Sequence, residues 1–374
     1  MRWMILIALL VVAGAVAVLA PRADAPPAAA TSPAVPADFY GLNAQLALSA
    51  SAERQWPATA AQIARVGVGV VRRDAFWSTI EPTPPRRGHH RYRWGTTDRL
   101  VAALAASRLR WYPIVDYGVA WASLGDPRNP PAPRRVRDYG DFAGALASRY
   151  GPHGRFWRLH PRLHAMPVHD YEIWNEPNVA HFWSDQASAP ARLAAMYLAA
   201  RKHVRAVDRS ARVVLGGLSA VGVDAFLTAM AQARPQLVGQ LDAVGFHPYG
   251  GGPNGGLQVT YDRIRALRAA LTRSFPGRRV PIEITETGWA VPPTPEAWRA
   301  DRLRQLALEL PRSNCDVTRL IVHTWTSLDA GASPEAWFGI AQPDGTLSPS
   351  GVAFQQAIAL MRSPQAPTAR VQIC

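Results

Sequence analysis

The chain has 374 residues, 48% hydrophobic and 18% charged, a balance that excludes general disorder and provides for a sizeable core. Its formal charge of +14 comes almost wholly from scattered arginines, Lys202 being the sole lysine, so no basic stripe marks a nucleic-acid surface. An anionic glycan remains compatible with that charge.

At the N-terminus, Met1 and Arg2 precede an uncharged stretch from Trp3 to Ala20, followed by a Pro/Ala-rich segment from Pro21 to Pro36. A basic start, an apolar run and small residues around Ala23-Asp24-Ala25 predict a secretory signal over residues 1–25 and a linker over 26–37. The apolar run is also about the shortest that spans a bilayer, so an uncleaved membrane anchor is the alternative. No cysteine follows the run to carry a lipid. Either way an exported protein is expected, secreted or periplasmic, or tethered to the membrane by residues 3–20.

From about Ala37, β-rich runs alternate with amphipathic stretches. The expected strands are Phe39–Asn43, Gly67–Arg73, Arg110–Asp116, Asp170–Asn175, Arg212–Leu218, Ala243–His247, Val280–Thr285 and Arg319–Thr324. Apolar residues at helical spacing follow each of them. They fall over Ala58–Ile63, Asp98–Arg108, Tyr139–Tyr150, Pro190–Val207, Val223–Ala233, Tyr261–Phe275, Pro295–Leu310 and Val352–Met361. Eight such units predict a single (β/α)8 TIM barrel over residues 38–363, with a tail over 364–374. An open doubly wound sheet would want a glycine-rich turn after the first strand, which Phe39-Tyr40-Gly41-Leu42-Asn43 does not offer. The glycine-rich run Gly250–Gly256 is expected as a loop at the rim of a site.

Cys315 and Cys374, the two cysteines, precede the last strand and follow the last helix. In a barrel both places lie at the face where strands begin. A disulfide is expected there in an oxidising compartment, with two unpaired thiols as the other outcome.

Two segments carry the chemistry: Tyr171-Glu172-Ile173-Trp174-Asn175-Glu176-Pro177-Asn178 and Ile284-Thr285-Glu286-Thr287-Gly288-Trp289. Each puts a glutamate just past a strand-like run, at the fourth and seventh strands, on the face where barrel enzymes keep their active sites. Hydrolysis of a glycosidic bond needs two such carboxyls. One protonates the leaving oxygen, and the other attacks or screens the developing oxocarbenium ion. Glu172 and Glu283 lie within strands and are expected to pair with arginines. Asp116 ends the third strand and is expected to line the cleft. His89-His90 and His160/His164 lack carboxylate or thiol partners at ligand spacing, so neither a metal nor a cofactor is expected. Nothing in the sequence implies an oligomer.

Trp174-Asn175-Glu176-Pro177 together with Thr285-Glu286-Thr287-Gly288-Trp289 resembles the clan A glycoside hydrolases, retaining (β/α)8 enzymes. The stretch from Val71 to Pro82 resembles family 39 and its cellulase-like relatives, and the similarity runs from about Phe39 to Met361. The resemblance implies Glu176 as acid/base, Glu286 as nucleophile and Asn175 as the residue that bonds the sugar 2-hydroxyl. Arg72, expected at the end of the second strand, and Tyr249 would steady the nucleophile, with Arg73 facing the other way. Trp325 would be the aromatic platform under the sugar, and His247 would orient the site or bind substrate. Trp77, Trp121, Trp183 and Trp289, in expected top-face loops, would stack on further sugars. Family 39 xylosidases usually carry an added β-sandwich, and this chain ends too soon for one, which weakens any inference of a xyloside substrate. A transglycosylase with the same site, and a non-catalytic envelope barrel that binds glycan or anionic polymer, are the other readings.

Overall fold

A computed structural model describes residues 35–44, 50–123, 132–251, 255–327 and 337–374. The expected signal or anchor, most of the linker and part of the Gly250–Gly256 run lie outside the described residues. Among the described residues no helix is long and apolar enough to cross a membrane.

Eight parallel strands close into a barrel in sequence order. They are β1 Tyr40–Asn43, β2 Val70–Phe76, β3 Arg110–Asp116, β4 Asp170–Asn175, β5 Arg212–Ser219, β6 Ala243–His247, β7 Ile282–Ile284 and β8 Val317–His323. Pairing of β1 with β8, Asn43 opposite His323, closes the ring. The helices are α1 Ala50–Glu53, α2 Trp56–Arg65, α3 Trp77–Ile80, α4 Gly95–Ala106, α5 Val136–Tyr150 and α6 Arg155–Leu159. They continue as α7 Ala189–Val207, α8 Val223–Ala233, α9 Leu237–Gln240, α10 Gly256–Ser274, α11 Glu296–Glu309 and α12 Pro349–Met361. This is the (β/α)8 architecture that the alternating pattern predicts.

Two boundaries differ from the sequence reading in ways that matter. The second strand starts three residues late and ends three residues late. Gly67 takes φ +93° in a turn, and Gly69 lies so close to Ala37 that any Cβ there would clash with its backbone. Pairing then continues through Asp74-Ala75-Phe76, so Arg72 sits mid-strand rather than at the strand end. Helix α10 starts at Gly256, five residues ahead of expectation, because the glycines mask a helical start.

The core between barrel and helices is large and apolar, with Trp56, Trp77, Trp111, Trp174, Trp183 and Trp289 among its fully buried side chains. Inside the barrel the apolar layer is thin: Val70, Tyr112, Val214, Ala243 and Ile321. Toward the strand starts the buried Asp170, Glu283 and Arg319 are joined by a partly exposed Arg212. Arg212 pairs with Asp170 at 2.7 Å and Glu283 at 2.7 Å, and Arg319 with the same two at 2.8 and 3.0 Å. The hydroxyl of Tyr112 donates to Glu283 at 2.8 Å. Buried charges survive only when paired in this way.

At the same end, the chain beyond α12 returns along residues 313–315, with the Val371 amide donating to the Arg312 carbonyl at 3.0 Å. Cys374 and Cys315 form the disulfide.

Candidate active site

At the other end of the barrel, alternate residues of each strand point inward. On β2 these are Arg72, Asp74 and Phe76. Arg72 is fully buried and reaches three partners. Its Nε donates to Glu172 at 2.6 Å, its Nη2 to Asn175 at 3.0 Å, and its Nη1 to Glu286. Glu172 and Glu283 therefore do pair with arginines, as the sequence led one to expect.

The end of β4 departs from strand geometry. Trp174 takes φ +71° and Glu176 φ +42°, left-handed conformations that cost about 1–3 kcal/mol each for such residues. The turn at Trp174 changes the phase of the strand. Glu172 and Asn175, three residues apart, both contact Arg72, while the Trp174 indole swings outward to donate to the Phe182 carbonyl at 3.0 Å. The Glu176 amide is held by the Gly217 carbonyl at 3.0 Å.

Glu286 follows β7 and is surrounded by donors. Tyr249 donates to its Oε2 at 2.6 Å, and Asn43 to its Oε1 at 3.2 Å beside Arg72. The imidazoles of His247 and His323 each place Nδ1 3.8 Å from Oε2. Burial alone would raise the Glu286 carboxyl. The positive fields of His247, Arg72 and His323, with the Tyr249 hydrogen bond, overcome it and hold the group well below the usual carboxylate range. Burial, then the Glu286 charge, pushes the Tyr249 phenol well up, so it stays a donor.

Glu176 occupies a different setting. Among the described residues its side chain is bonded by His247, whose Nδ1 lies 2.9 Å from Oε1. The same Nδ1 is 3.8 Å from Glu286, so these two carboxylate oxygens are no further apart than the sum of the two distances. That ceiling lies just inside the roughly 6.5–9.5 Å spacing of inverting carboxyl pairs and above the ~5–5.5 Å of retaining ones, so it excludes only the wider inverting spacings. Both side chains keep a small exposed fraction, 18% for Glu176 and 14% for Glu286.

Glycine makes room for this arrangement. A Cβ on Gly217 would lie 2.1 Å from His247 Nε2, and one on Gly245 2.8 Å from Glu172 Oε1. Gly217 falls where β5 shifts register against β6, a bulge that lets the imidazole lie over the backbone.

The aromatic expectations need correction. Trp77 is fully buried, stacked on Phe142 at 5.6 Å with its N–H donating to Glu81, and Trp183 is packed against Trp174 at 5.1 Å. Neither offers a ring face to a sugar. Trp289 is 2% exposed, edge-on to Trp298, and Trp325 is 3% exposed. Trp121 is half-buried and donates to the Glu81 carbonyl at 2.9 Å. The eighth-strand residue that reaches Glu286 is His323, two positions before Trp325. Burial pushes the His323 imidazole below its ordinary value. Asn43 and His323 were missed as site residues, yet period-two counting from Gly41 and Ile321, which face the barrel axis, selects both. Arg73, on the opposite side of β2, is 3.9 Å from Asp74.

No family model matches the chain, and no curated protein matches its sequence. Solved structures do resemble it. A monomeric β-xylosidase from Caulobacter crescentus CB15 superposes with TM-score 0.61 at 20% identity, over 85% of this chain and 67% of that one. A family 39 glycoside hydrolase from the gut symbiont Bacteroides cellulosilyticus WH2 gives 0.63 at 19%, over 88% and 64%. A family 39 enzyme from Xanthomonas axonopodis pv. citri gives 0.64 at 20%, over 88% and 68%. The chain thus spans about two thirds of the length of these proteins, and what it shares with them at such identity is the (β/α)8 fold.

Proposed function

We propose that this chain is a retaining glycoside hydrolase of the clan A type, closest to family 39, cleaving β-linked bonds in an oligo- or polysaccharide. The observation that carries the reading is the unlike pair of glutamates that share one imidazole. Glu286 is ringed by Arg72, Tyr249 and Asn43 and stays ionised, while Glu176, 2.9 Å from His247, has no such cage of donors. Two carboxyls in different environments at one site are what acid and nucleophile roles require.

In this mechanism Glu176 gives its proton to the leaving glycosidic oxygen as a Glu286 oxygen attacks the anomeric carbon. The bond to the leaving group breaks and a glycosyl ester forms. Water then attacks the same carbon, Glu176 takes a proton from it, and the ester bond to Glu286 breaks. Asn175, which accepts from Arg72 at 3.0 Å, bonds the sugar 2-hydroxyl in this reading. The fold likeness to three glycoside hydrolases supports the reading. The Cys315–Cys374 disulfide supports export to an oxidising compartment. Digestion of a panel of β-linked glycans, with the anomer of the first product read by NMR, tests the proposal. Retained configuration is expected, and an inverted first product would overturn the double displacement.

A further inference from the structure

Above Arg72, the next inward residue of β2 is Asp74, and β3 ends at Asp116 on the inward side that Tyr112 defines four residues earlier. Asp116 is completely buried, and no donor group among the described residues reaches either of its carboxyl oxygens. Beside it on β2, two residues out of register on the same inward face, stands another carboxyl, that of Asp74, whose charge acts on Asp116. Burial, then the charge of Asp74, pushes Asp116 well above the usual carboxylate range, so Asp116 holds its proton. The guanidinium of Arg72 lowers Asp116 somewhat, but its three nitrogens are turned to Glu172, Glu286 and Asn175 and none bonds Asp116. Arg73 approaches Asp74 from the other side of the strand.

The pair is not sealed off. The Asp74 side chain is 27% exposed. Phe76 and Tyr117, both half-buried, stand beside the pair with ring centroids 6.3 Å apart, and Phe182 stacks on Tyr117 at 6.4 Å. Tyr117 also lies edge-on to Trp174 at 5.2 Å, next in sequence to Asn175, which joins this wall to the site that holds Glu176 and Glu286.

We propose that Asp74 and Asp116 form a sugar-reading subsite next to the cleavage point, built for a neutral sugar unit with two free vicinal hydroxyls. Asp116 keeps its proton and directs that hydrogen at Asp74, which leaves the outward lone pairs of the Asp74 carboxylate to accept from the two hydroxyls. Phe76 and Tyr117 cover the apolar face of the ring. A uronic acid would set a third carboxyl against the pair, so the subsite works against an anionic residue at this position. This inference rests on the glycosidase reading, of which it names the substrate class.

Its test uses the full chain with 4-nitrophenyl β-xyloside and β-glucoside and their singly and doubly deoxygenated analogues. The wild type is expected to discriminate against the deoxygenated sugars by roughly 10–10²-fold in kcat/KM, because each missing hydroxyl removes a hydrogen bond to the charged Asp74 carboxylate. In Asp74→Ala that ratio should fall toward one. Asp116→Asn, which keeps a donor to Asp74 and the same shape, should retain most of it. Equal discrimination by wild type and Asp74→Ala would overturn the subsite, as would preference for amino or uronic sugars. If no glycoside is hydrolysed, the catalytic reading fails, and calorimetric binding of cellohexaose, xylohexaose and mannohexaose to wild type and Asp74→Ala decides the subsite alone. Equal affinities, or no binding of any of the three, would overturn it.

Discussion

The Nδ1 atom of His247 stands 2.9 Å from Glu176 and also faces Glu286, so one imidazole spans both carboxyls of the site. Its ring is held over Gly217 by a bulge in β5. His247→Ala should lower kcat by about 10²-fold through misplacement of Glu176, with a displaced alkaline limb in the pH–rate profile, the limb that the general acid sets. Gly217→Ala, whose methyl would collide with the ring, should move the same limb in the same direction. Profiles that change only in height would argue for a structural role instead.

Glu286→Ala should be nearly inactive, and added azide should restore turnover with a glycosyl azide of inverted configuration as product. Glu176→Gln should lose about 10²–10⁴-fold on substrates with poor leaving groups and much less on activated aryl glycosides, which depart without a proton. Steady-state kinetics with leaving groups of graded acidity would separate the two roles.

Removal of Arg72 strands Glu172 in the barrel interior, fully buried without its counter-ion. Arg72→Ala should cost about 3–5 kcal/mol of stability, read from chemical denaturation. Arg72→Lys keeps the charge but cannot serve Glu172, Asn175 and Glu286 together, so activity should fall even where the fold survives.

Asp116 gives a pH dependence of definite sign. Its folded-state pKa is raised, so the stability it contributes is present below the unfolded carboxylate value near ~3.9 and is lost as pH rises toward the folded value. Asp116→Asn removes that loss. Its melting temperature relative to wild type should increase from pH 4 to pH 8 on the order of the range over which the acid ionises in the unfolded chain. A difference that does not vary with pH would show that Asp116 is not held protonated.

The disulfide joins residues 59 apart in sequence at the end of the barrel remote from Glu176 and Glu286. Cys374→Ser should lower stability by about 4 kcal/mol on the loop-entropy argument, while kcat at room temperature changes little. Thermal melts with and without reductant, alongside activity, would check both halves.

Much of this architecture was legible because hydrophobic period and motif order are local properties. The alternation of strands and helices located all eight strands, three with the observed limits: Arg110–Asp116, Asp170–Asn175 and Ala243–His247. Arg72 and Tyr249, expected beside Glu286 from the family resemblance, both bond it, one from β2 and the other two residues past β6. The tryptophans were not. An indole in a loop reads the same whether it faces solvent or folds back into the layer between barrel and helices, and Trp77 and Trp183 do the latter. His323 was hidden by Trp325, two residues on, which the family resemblance names as the eighth-strand residue of the site. The phase change at Trp174 depends on one left-handed residue, which no periodicity announces.

Arg72 has one further consequence. On the double-displacement route Glu286 becomes an ester and loses its negative charge midway through the cycle. An arginine whose sole counter-ion vanished would then be a naked cation in a medium of low polarity. Glu172 prevents this, since it keeps its hold on Nε throughout. The site alternates between two anions and one around a fixed cation, and electroneutrality at Arg72 is never left to the substrate.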